Sequence, residues 1–239
     1  MKKKMVALLA GAMLMMGMAT SASAMSLRLT TGDGATITLT DGGTGLVSFN
    51  GTLGSFFLNI STGSLDHVIA LNTLDLLSGN KSGAVLSAAA GTITVELSEQ
   101  NYNSGSVPAV NAHFGIGGTT QGVIDYAAYL DASNTLFGTN ALIGSGSDGT
   151  FGTALPIKTA FDYSSPNAVE SISGLYSLTE IVTISHQGYI SGSTTINSTT
   201  SFDGQVSTTP VPEPGTMMLV GLGMLGMAVY GKRRQNKEA

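Results

Sequence analysis

Residues 92–97 read Thr-Ile-Thr-Val-Glu-Leu, and residues 35–40 read Ala-Thr-Ile-Thr-Leu-Thr. Apolar and polar residues alternate in both stretches. In an extended chain this period of two places Ile93, Val95 and Leu97 on one face and the polar residues on the other. β-branched side chains such as those of Ile93 and Val95 suit a pleated, half-buried surface. The two stretches therefore predict antiparallel strands with one buried face each.

Similar alternation recurs along the chain, and glycine-containing pairs separate the runs. Further strands are predicted at residues 53–60, 123–130, 175–186 and 194–206. Asp-Gly pairs, which favour tight turns, occur at 33–34, 41–42, 148–149 and 203–204. We therefore predict an all-β fold for residues 25–206, an antiparallel β-sandwich or jelly-roll-like domain.

Four other segments of this region are predicted to be helix, loop or linker rather than strand. Residues 64–77 and 131–136 are candidates for short helices, and residues 138–153 are expected to form a long surface loop. Residues 207–210 are expected to be a linker to the C-terminal tail.

Composition and charge exclude several classes of function. The chain has no Cys, which excludes a disulfide framework, a thiolate zinc site and cysteine catalysis. Residues 25–211 contain 3 Lys and Arg and 13 Asp and Glu, so their formal charge is 3 − 13 = −10. Such a segment repels polyanions, which argues against binding of nucleic acid.

The N-terminus has the organisation of a secretory signal peptide. Three lysines at positions 2–4 precede an apolar run over residues 5–19, and residues 22–24 read Ala-Ser-Ala. A positive start, a short apolar stretch and a small-x-small end are the signal-peptide pattern. We expect signal peptidase to recognise Ala22 and Ala24 and to cleave after Ala24. The alternative is an uncleaved N-terminal anchor.

The C-terminus, residues 211–239, has three parts. Val211, Pro212, Glu213 and Pro214 come first, and the two prolines favour an extended chain. Residues 216–230 are almost all apolar and predict a short membrane helix. A basic end at residues 232–237 includes Lys232, Arg233 and Arg234. Positive charges favour a cytoplasmic location for this end and leave the β-rich region outside.

This tail resembles the PEP-CTERM sorting signal of Gram-negative bacteria, in which a Pro-Glu-Pro motif precedes a short membrane helix and an Arg-rich end. The resemblance covers about 29 residues of the 239. It implies recognition by an exosortase, transient insertion in the inner membrane, loss of the tail and transfer to the cell surface or medium. It also implies an association with exopolysaccharide and biofilm. The alternative is a plain C-terminal membrane anchor.

The sequence shows no motif for a known chemistry. Its three histidines, His67, His113 and His186, are far apart in the chain, which argues against a local metal site. Residues 144–149 match Gly-x-Gly-x-x-Gly, but a dinucleotide site needs a helix there; with Asp148, the same segment is a candidate calcium loop. Glu96 and Glu99 are a candidate carboxylate pair for glycoside hydrolysis. We predict no catalytic, metal or cofactor site.

These observations predict a non-enzymatic, exported protein of the cell surface or extracellular matrix, with exopolysaccharide as a candidate partner. The alternative is a glycan-binding module or a weak glycan hydrolase. An exposed Tyr or Phe cleft with converging carboxylates would favour the alternative.

Cleavage at the N-terminus gives the first testable prediction. Protein recovered from the producing cell is expected to begin at Met25, because Ala22 and Ala24 provide the small-x-small end directly after the apolar run. N-terminal sequencing checks this. Recovery of the exported protein with residues 1–24 intact would show that the segment is an anchor.

Overall fold

The computed structural model describes residues 25–65, 68–78, 91–104, 108–151, 157–172, 174–187, 189–191, 194–211, 218–225 and 227. The described part of the chain is dominated by strands. In chain order they are β1 (Met25–Thr31), β2 (Thr36–Thr40), β3 (Ser48–Leu53), β4 (Phe56–Leu65), β5 (Val68–Ser78), β6 (Thr92–Asn103), β7 (Ala109–Thr120), β8 (Val123–Asp131), β9 (Ala141–Gly149), β10 (Thr159–Ser164), β11 (Ala168–Ser171), β12 (Leu175–Ser185), β13 (Tyr189–Ser191), β14 (Thr194–Ile196) and β15 (Ser198–Pro210).

The strands form two large antiparallel sheets, which confirms the all-β prediction. The first sheet has the order β2-β1-β6-β12-β8-β9. The second has the order β3-β4-β5-β15-β7-β10, and β11 also pairs with β7. A separate ribbon joins β13 and β14.

Side-chain contacts show that the two sheets face each other strand by strand. The Tyr102 hydroxyl of β6 lies 3.3 Å from the Val68 carbonyl oxygen of β5, and the hydroxyls of Tyr176 in β12 and Thr208 in β15 are 2.6 Å apart. Phe114 of β7 contacts Tyr126 of β8, with ring centroids 6.1 Å apart. The two sheets therefore face each other with matching strand orders and enclose one core between them.

Period-two alternation fills this core as predicted. Ile93, Val95 and Leu97 are fully buried, and the partly buried Ile37 and Leu39 pack against the core. Fully burying one such side chain stabilises the fold by ~1.5–3 kcal/mol. Aromatic residues occupy the centre, where Tyr176 stacks on Tyr102 at a centroid distance of 5.7 Å.

Several sequence predictions are wrong in detail. Residues 56–60 of the predicted strand at 53–60 belong to β4, whereas residue 53 ends β3, because Gly54, with φ of +58°, turns the chain between the two strands. The predicted strand at 194–206 is divided between β14 and β15. Asp-Gly pairs 33–34 and 41–42 lie in turn regions, whereas pairs 148–149 and 203–204 lie within strands.

The predicted helices and loop also differ from the structure. Residues 64–65 end β4 and residues 68–77 belong to β5. Residues 132–136 form a turn-rich connection, where the Phe137 ring covers the Arg28 guanidinium at 4.0 Å. Most of the predicted loop at 138–153 is β9, which pairs with β8. Cross-strand pairing stabilises residues 68–77 and 141–149 as strands, a contribution that local composition does not report.

The predicted linker at residues 207–210 is part of β15. This strand continues to Pro210 and pairs with β7 from Thr200 to its end, and Thr208 is buried in contact with Tyr176. The folded domain therefore extends beyond residue 206 to the start of the tail.

The N-terminal segment and most of the tail lie outside the described residues. Residues 218–225 are helical, and their large apolar side chains are exposed. Among the described residues, no helix has both the length and the apolar character needed to cross a membrane.

An ionisable side chain, Glu180 of β12, is completely buried in the apolar core. Within the described part of the chain, neither of its carboxyl oxygens has a hydrogen-bond partner. The carboxyl occupies the space beside Gly204 of β15, where a Cβ atom would overlap Oε1. Leu97 and Ala128 flank Glu180 on the neighbouring strands. Burial raises the pKa of Glu180 well above its usual value, because water cannot solvate the charged form.

Stability is therefore expected to depend on the pH through Glu180. The folded protein retains a proton that the unfolded chain releases above its ordinary carboxyl pKa, so stability falls as the pH rises from that value towards the raised folded pKa. Glu180→Met removes the buried polar group, and with it the fall in stability at rising pH. We expect its free energy of unfolding at neutral pH to rise by about 1–3 kcal/mol. Denaturant unfolding at several pH values measures this.

Two controls apply to this prediction: the variant Glu170→Met, and the dependence of the free energy of unfolding on pH in the acid range. Glu170 lies partly exposed on β11, so its replacement should leave the loss of stability at high pH unchanged. Burial lowers the pKa of His186 to about 4. Stability should therefore fall as the pH drops below the ordinary pKa of histidine, and both variants should keep this loss. A Glu180→Met variant that retains the wild-type alkaline loss would contradict the assignment.

Candidate functional site

The outer face of the second sheet carries a trough of about 570 Å³. The strands β10, β7 and β15 form it, and Ala70 of β5 lies at one side. Alternation along β7 explains its position. Phe114 and Ile116 point into the core and are buried, whereas Gly115 and Gly117 occupy the outward positions between and after them.

The two outward glycines form the floor of the trough. A Cβ on Gly117 would lie 3.4 Å from Oδ1 of Asp162, and a Cβ on Gly115 would lie 3.7 Å from Cε1 of His113. Neither distance is a severe clash, so sterics alone do not require glycine at these positions. The absence of side chains here leaves open space between the neighbouring strands.

Strand register places polar side chains on both sides of this floor. Gly117 pairs with Asp162 of β10 on one side and with Asp203 of β15 on the other. Gly115 pairs in the same way with Ser164 and Gln205. The trough is therefore lined by ordered rows of carboxylate, hydroxyl and amide groups.

The electrostatic character of the trough is acidic. Asp162 and Asp203 line it, and there is no Lys or Arg among the lining residues that the structure describes. Both aspartates are exposed. Together with the formal charge of −10 for residues 25–211, this arrangement disfavours an anionic ligand.

A histidine and a serine are hydrogen-bonded at one end of the trough. Nε2 of His113 is 3.0 Å from Oγ of Ser164, a distance compatible with a nucleophile and its base. A hydrolytic site also needs a group that orients the imidazole and donors for an oxyanion. In the described ranges, His113 has no hydrogen bond to such an orienting group. The pair therefore supports hydrogen bonding to a ligand better than nucleophilic catalysis.

Aromatic packing fixes the wall formed by β10. The Tyr163 ring lies on the core side of β10, where it packs against Tyr126 and Phe114 with centroid distances of 5.3 and 5.9 Å. The Tyr126 hydroxyl donates a hydrogen bond of 2.6 Å to Asp148. Burial and this carboxylate raise the pKa of Tyr126, so the phenol remains a neutral donor. This cluster holds β10 in register with the rest of the trough.

The other carboxylates considered from the sequence do not form a pair. Glu96 forms an ion pair with Arg28. Glu99 is buried, and its carboxylate accepts hydrogen bonds from Tyr102 and from Ser64 of the opposite sheet. The two side chains are thus engaged in separate contacts, and they do not create a cleft for hydrolysis.

The glycine-rich and histidine candidates are also separated by the fold. Residues 144–149 belong to β9, so the structure has no helix start for a dinucleotide there, and Asp148 accepts the Tyr126 hydrogen bond. His113 lies in the trough, His186 is buried in the core, and His67 lies outside the described residues. Within the described ranges, no three metal-ligating side chains come together.

The predicted sorting residues lie mostly outside the described part of the chain. Val211 is described and partly buried, and its backbone N–H donates to the Ala109 carbonyl at 3.0 Å. The others are Pro212, Glu213, Pro214, Lys232, Arg233 and Arg234, with Ala22 and Ala24 at the N-terminus. Their assigned roles therefore remain sequence predictions.

Sequence reasoning missed the trough. The sequence feature that could have indicated the trough is the segment 113–118, His-Phe-Gly-Ile-Gly-Gly. In this segment glycine replaces the outward polar residue of a strand. Glycine inside a strand can mark a close approach by a ligand. The partners Asp162 and Asp203 carry no local signal, because only strand pairing brings them together.

Comparison with known families confirms the resemblance seen in the tail. Residues 210–234 match the model of the PEP-CTERM protein-sorting motif. The match includes positions 211–214 and 232–234. The chain thus carries the sorting signal of an exported exosortase substrate.

Other comparisons identify no relative that assigns a function. No curated protein sequence matches the chain. A structure of infectious bursal disease virus Gx strain is similar at 15% identity over 80% of this chain, which spans 57% of that chain, with a TM-score of 0.25. A Gt strain structure has 11% identity, coverage of 87% and 72%, and a TM-score of 0.19. Scores this low carry no argument about fold or function.

Proposed function

We propose that this chain is a non-enzymatic structural or adhesive protein of the cell surface or extracellular matrix, associated with exopolysaccharide in a biofilm. An exosortase removes its tail at the inner membrane of a Gram-negative cell after signal peptidase has removed the leader. The sorting motif supports export and processing. The role in the matrix rests on the β-sandwich and its trough.

The observation that carries this proposal is the direct junction between the folded sheet and the sorting motif. β15 ends at Pro210, where the matched motif begins. Pro210 pairs with Val110, and Val211 donates its hydrogen bond to Ala109. The C-terminal end of this strand therefore holds the start of the motif at a defined place on the folded domain.

Chain length keeps the domain close to the apolar segment. The six residues from 212 to 217 separate Val211 from Met218, the first described helical residue. An extended chain covers at most ~3.6 Å per residue, so this separation is at most about 25 Å. A membrane-embedded protease that holds the tail would thus work within reach of the domain surface.

The tail is also separable from the hydrophobic core. The large apolar side chains described between Met218 and Met227 are 56–72% exposed, and none belongs to the core. A run of exposed apolar residues needs a cover, which a membrane would provide. Removal of this segment would leave the interior of the sandwich unchanged.

A second candidate, a glycan-binding module, is favoured by the trough. Its two aspartates supply the carboxylates expected for such a module, whereas the ring of Tyr163 packs against the core on the other face of the sheet. A weak hydrolase is less well supported. Glycosidases need one carboxyl shielded enough to remain protonated, whereas Asp162 and Asp203 are both exposed.

Replacement of the motif tests the sorting proposal. With Pro212, Glu213 and Pro214 all changed to Ala, we expect the extended protease site to be lost and the full tail to be retained in the inner membrane. Wild type should instead appear outside this membrane without residues 216–239. A parallel variant with Lys232, Arg233 and Arg234 replaced should also be sorted less efficiently, because the positive stop is lost. Mass spectrometry of membrane and extracellular fractions measures both outcomes.

A triple alanine replacement of Thr36, Thr38 and Thr40 is the matched control. These residues are exposed on β2, which belongs to the other sheet than β15, so the control should be processed like wild type. If wild type keeps residues 216–239 at its final location and the motif variant is distributed identically, the tail is a simple anchor.

A further inference from the structure

We infer that the trough on the second sheet binds a neutral, hydroxyl-rich saccharide chain. This inference deepens the proposed function, on which it relies for its biological setting. The binding site itself is argued from the trough alone. Its walls are the outward side chains of β10 and β15, and its floor is the glycine pair of β7.

The dimensions of the trough fit a short stretch of a polymer. From His113 to Gly117 the floor advances by four residues, or about 14 Å at ~3.4 Å per residue. The walls lie on either side of a single strand, so their Cα atoms are about 10 Å apart. The volume of about 570 Å³ lies within the ~300–1,000 Å³ range of small-ligand sites. An extended chain of sugar rings can lie along this floor.

The lining chemistry selects hydroxyl groups. Aspartate carboxylates accept hydrogen bonds, and Ser164, Gln205 and Ser207 can both donate and accept. His113 adds a ring nitrogen near Ser164. Such a mixed set of acceptors and donors matches the neighbouring hydroxyls of a sugar ring, each of which also donates and accepts.

Charge decides which class of saccharide fits. The described residues that line the trough include two carboxylates and no Lys or Arg. A uronate, sulfate or phosphate group would meet the carboxylates of Asp162 and Asp203 at close range, and like charges repel. The trough therefore favours a neutral glycan over an acidic one.

The glycine floor provides a direct way to block the site. Gly117→Val would place a branched side chain between Asp162 and Asp203, and valine suits a strand. Its Cβ would make no contact closer than 3.4 Å, so the strand can accept it. The side chain would occupy the centre of the trough and exclude a ring from it.

The matched control is Gly63→Val. Gly63 lies on β4 of the same sheet, outside the lining, and among the described residues a Cβ there would meet Leu46 alone, at 3.8 Å. Both variants make the same chemical change in a strand. Thermal unfolding of each verifies that the fold is retained.

Isothermal titration of the full chain in detergent tests the inference without relying on sorting. The probes are neutral hexasaccharides of glucose with β-1,4, β-1,3 and α-1,4 linkages, and an oligogalacturonate as the acidic counterpart. We expect at least one neutral probe to bind, with little dependence on salt. Its affinity should fall at least tenfold in Gly117→Val and remain unchanged in Gly63→Val. The oligogalacturonate should bind more weakly.

Three results would overturn the inference: no binding of any neutral probe, equal affinity in wild type and a folded Gly117→Val, or preference for the acidic probe. Release of reducing ends from a bound probe would also refute it in favour of a hydrolase. Sorting of Gly117→Val, followed separately in cell fractions, should match wild type. A failure of glycan binding is thus distinguishable from a failure of the sorting proposal.

Discussion

The structure depends on the insertion of β15, the last strand of the domain, between β5 and β7. This strand pairs along nearly its whole length with both neighbours. Without it, the β3-β4-β5 and β7-β10 parts of the second sheet would have no hydrogen-bonded connection. The hydrogen bond between Tyr176 and Thr208 also joins this strand to the opposite sheet. Because its partners are distant in sequence, the sheet is complete only when the C-terminal end of the domain is in place.

Each face of β15 serves a different purpose. Phe202 and Val206 point into the core and are buried. Between them Gly204 leaves the space that the Glu180 carboxyl fills. On the outer face Asp203 and Gln205 form one wall of the trough. The two-residue period of a strand lets a single segment stabilise the core and present polar groups to a ligand.

The same strand connects the fold to the sorting signal. Its final residues are bound to β7 by the pairing of Pro210 with Val110 and by the hydrogen bond from Val211. Any cut upstream of this point would remove part of a central strand, whereas a cut downstream leaves both sheets intact. The location of the motif is thus compatible with release of a folded domain.

The sequence by itself determined the features that depend on local order along the chain. Alternation identified the strands around Ile37, Ile93 and Ile184, because side chains in a strand point to opposite faces in turn. The tail was recognised from the order of its prolines, apolar run and basic residues, and the family match at residues 210–234 confirmed it.

Tertiary structure alone decided where pairing overrides local composition. Polar residues 207–210 and glycine-rich residues 144–149 became strands, because neighbouring strands satisfy their backbone hydrogen bonds. The trough has the same origin. Asp162, Gly117 and Asp203 come from three strands, and only the register of those strands places them in one row. Register is set by long-range pairing and core packing, so it cannot be read from any one segment.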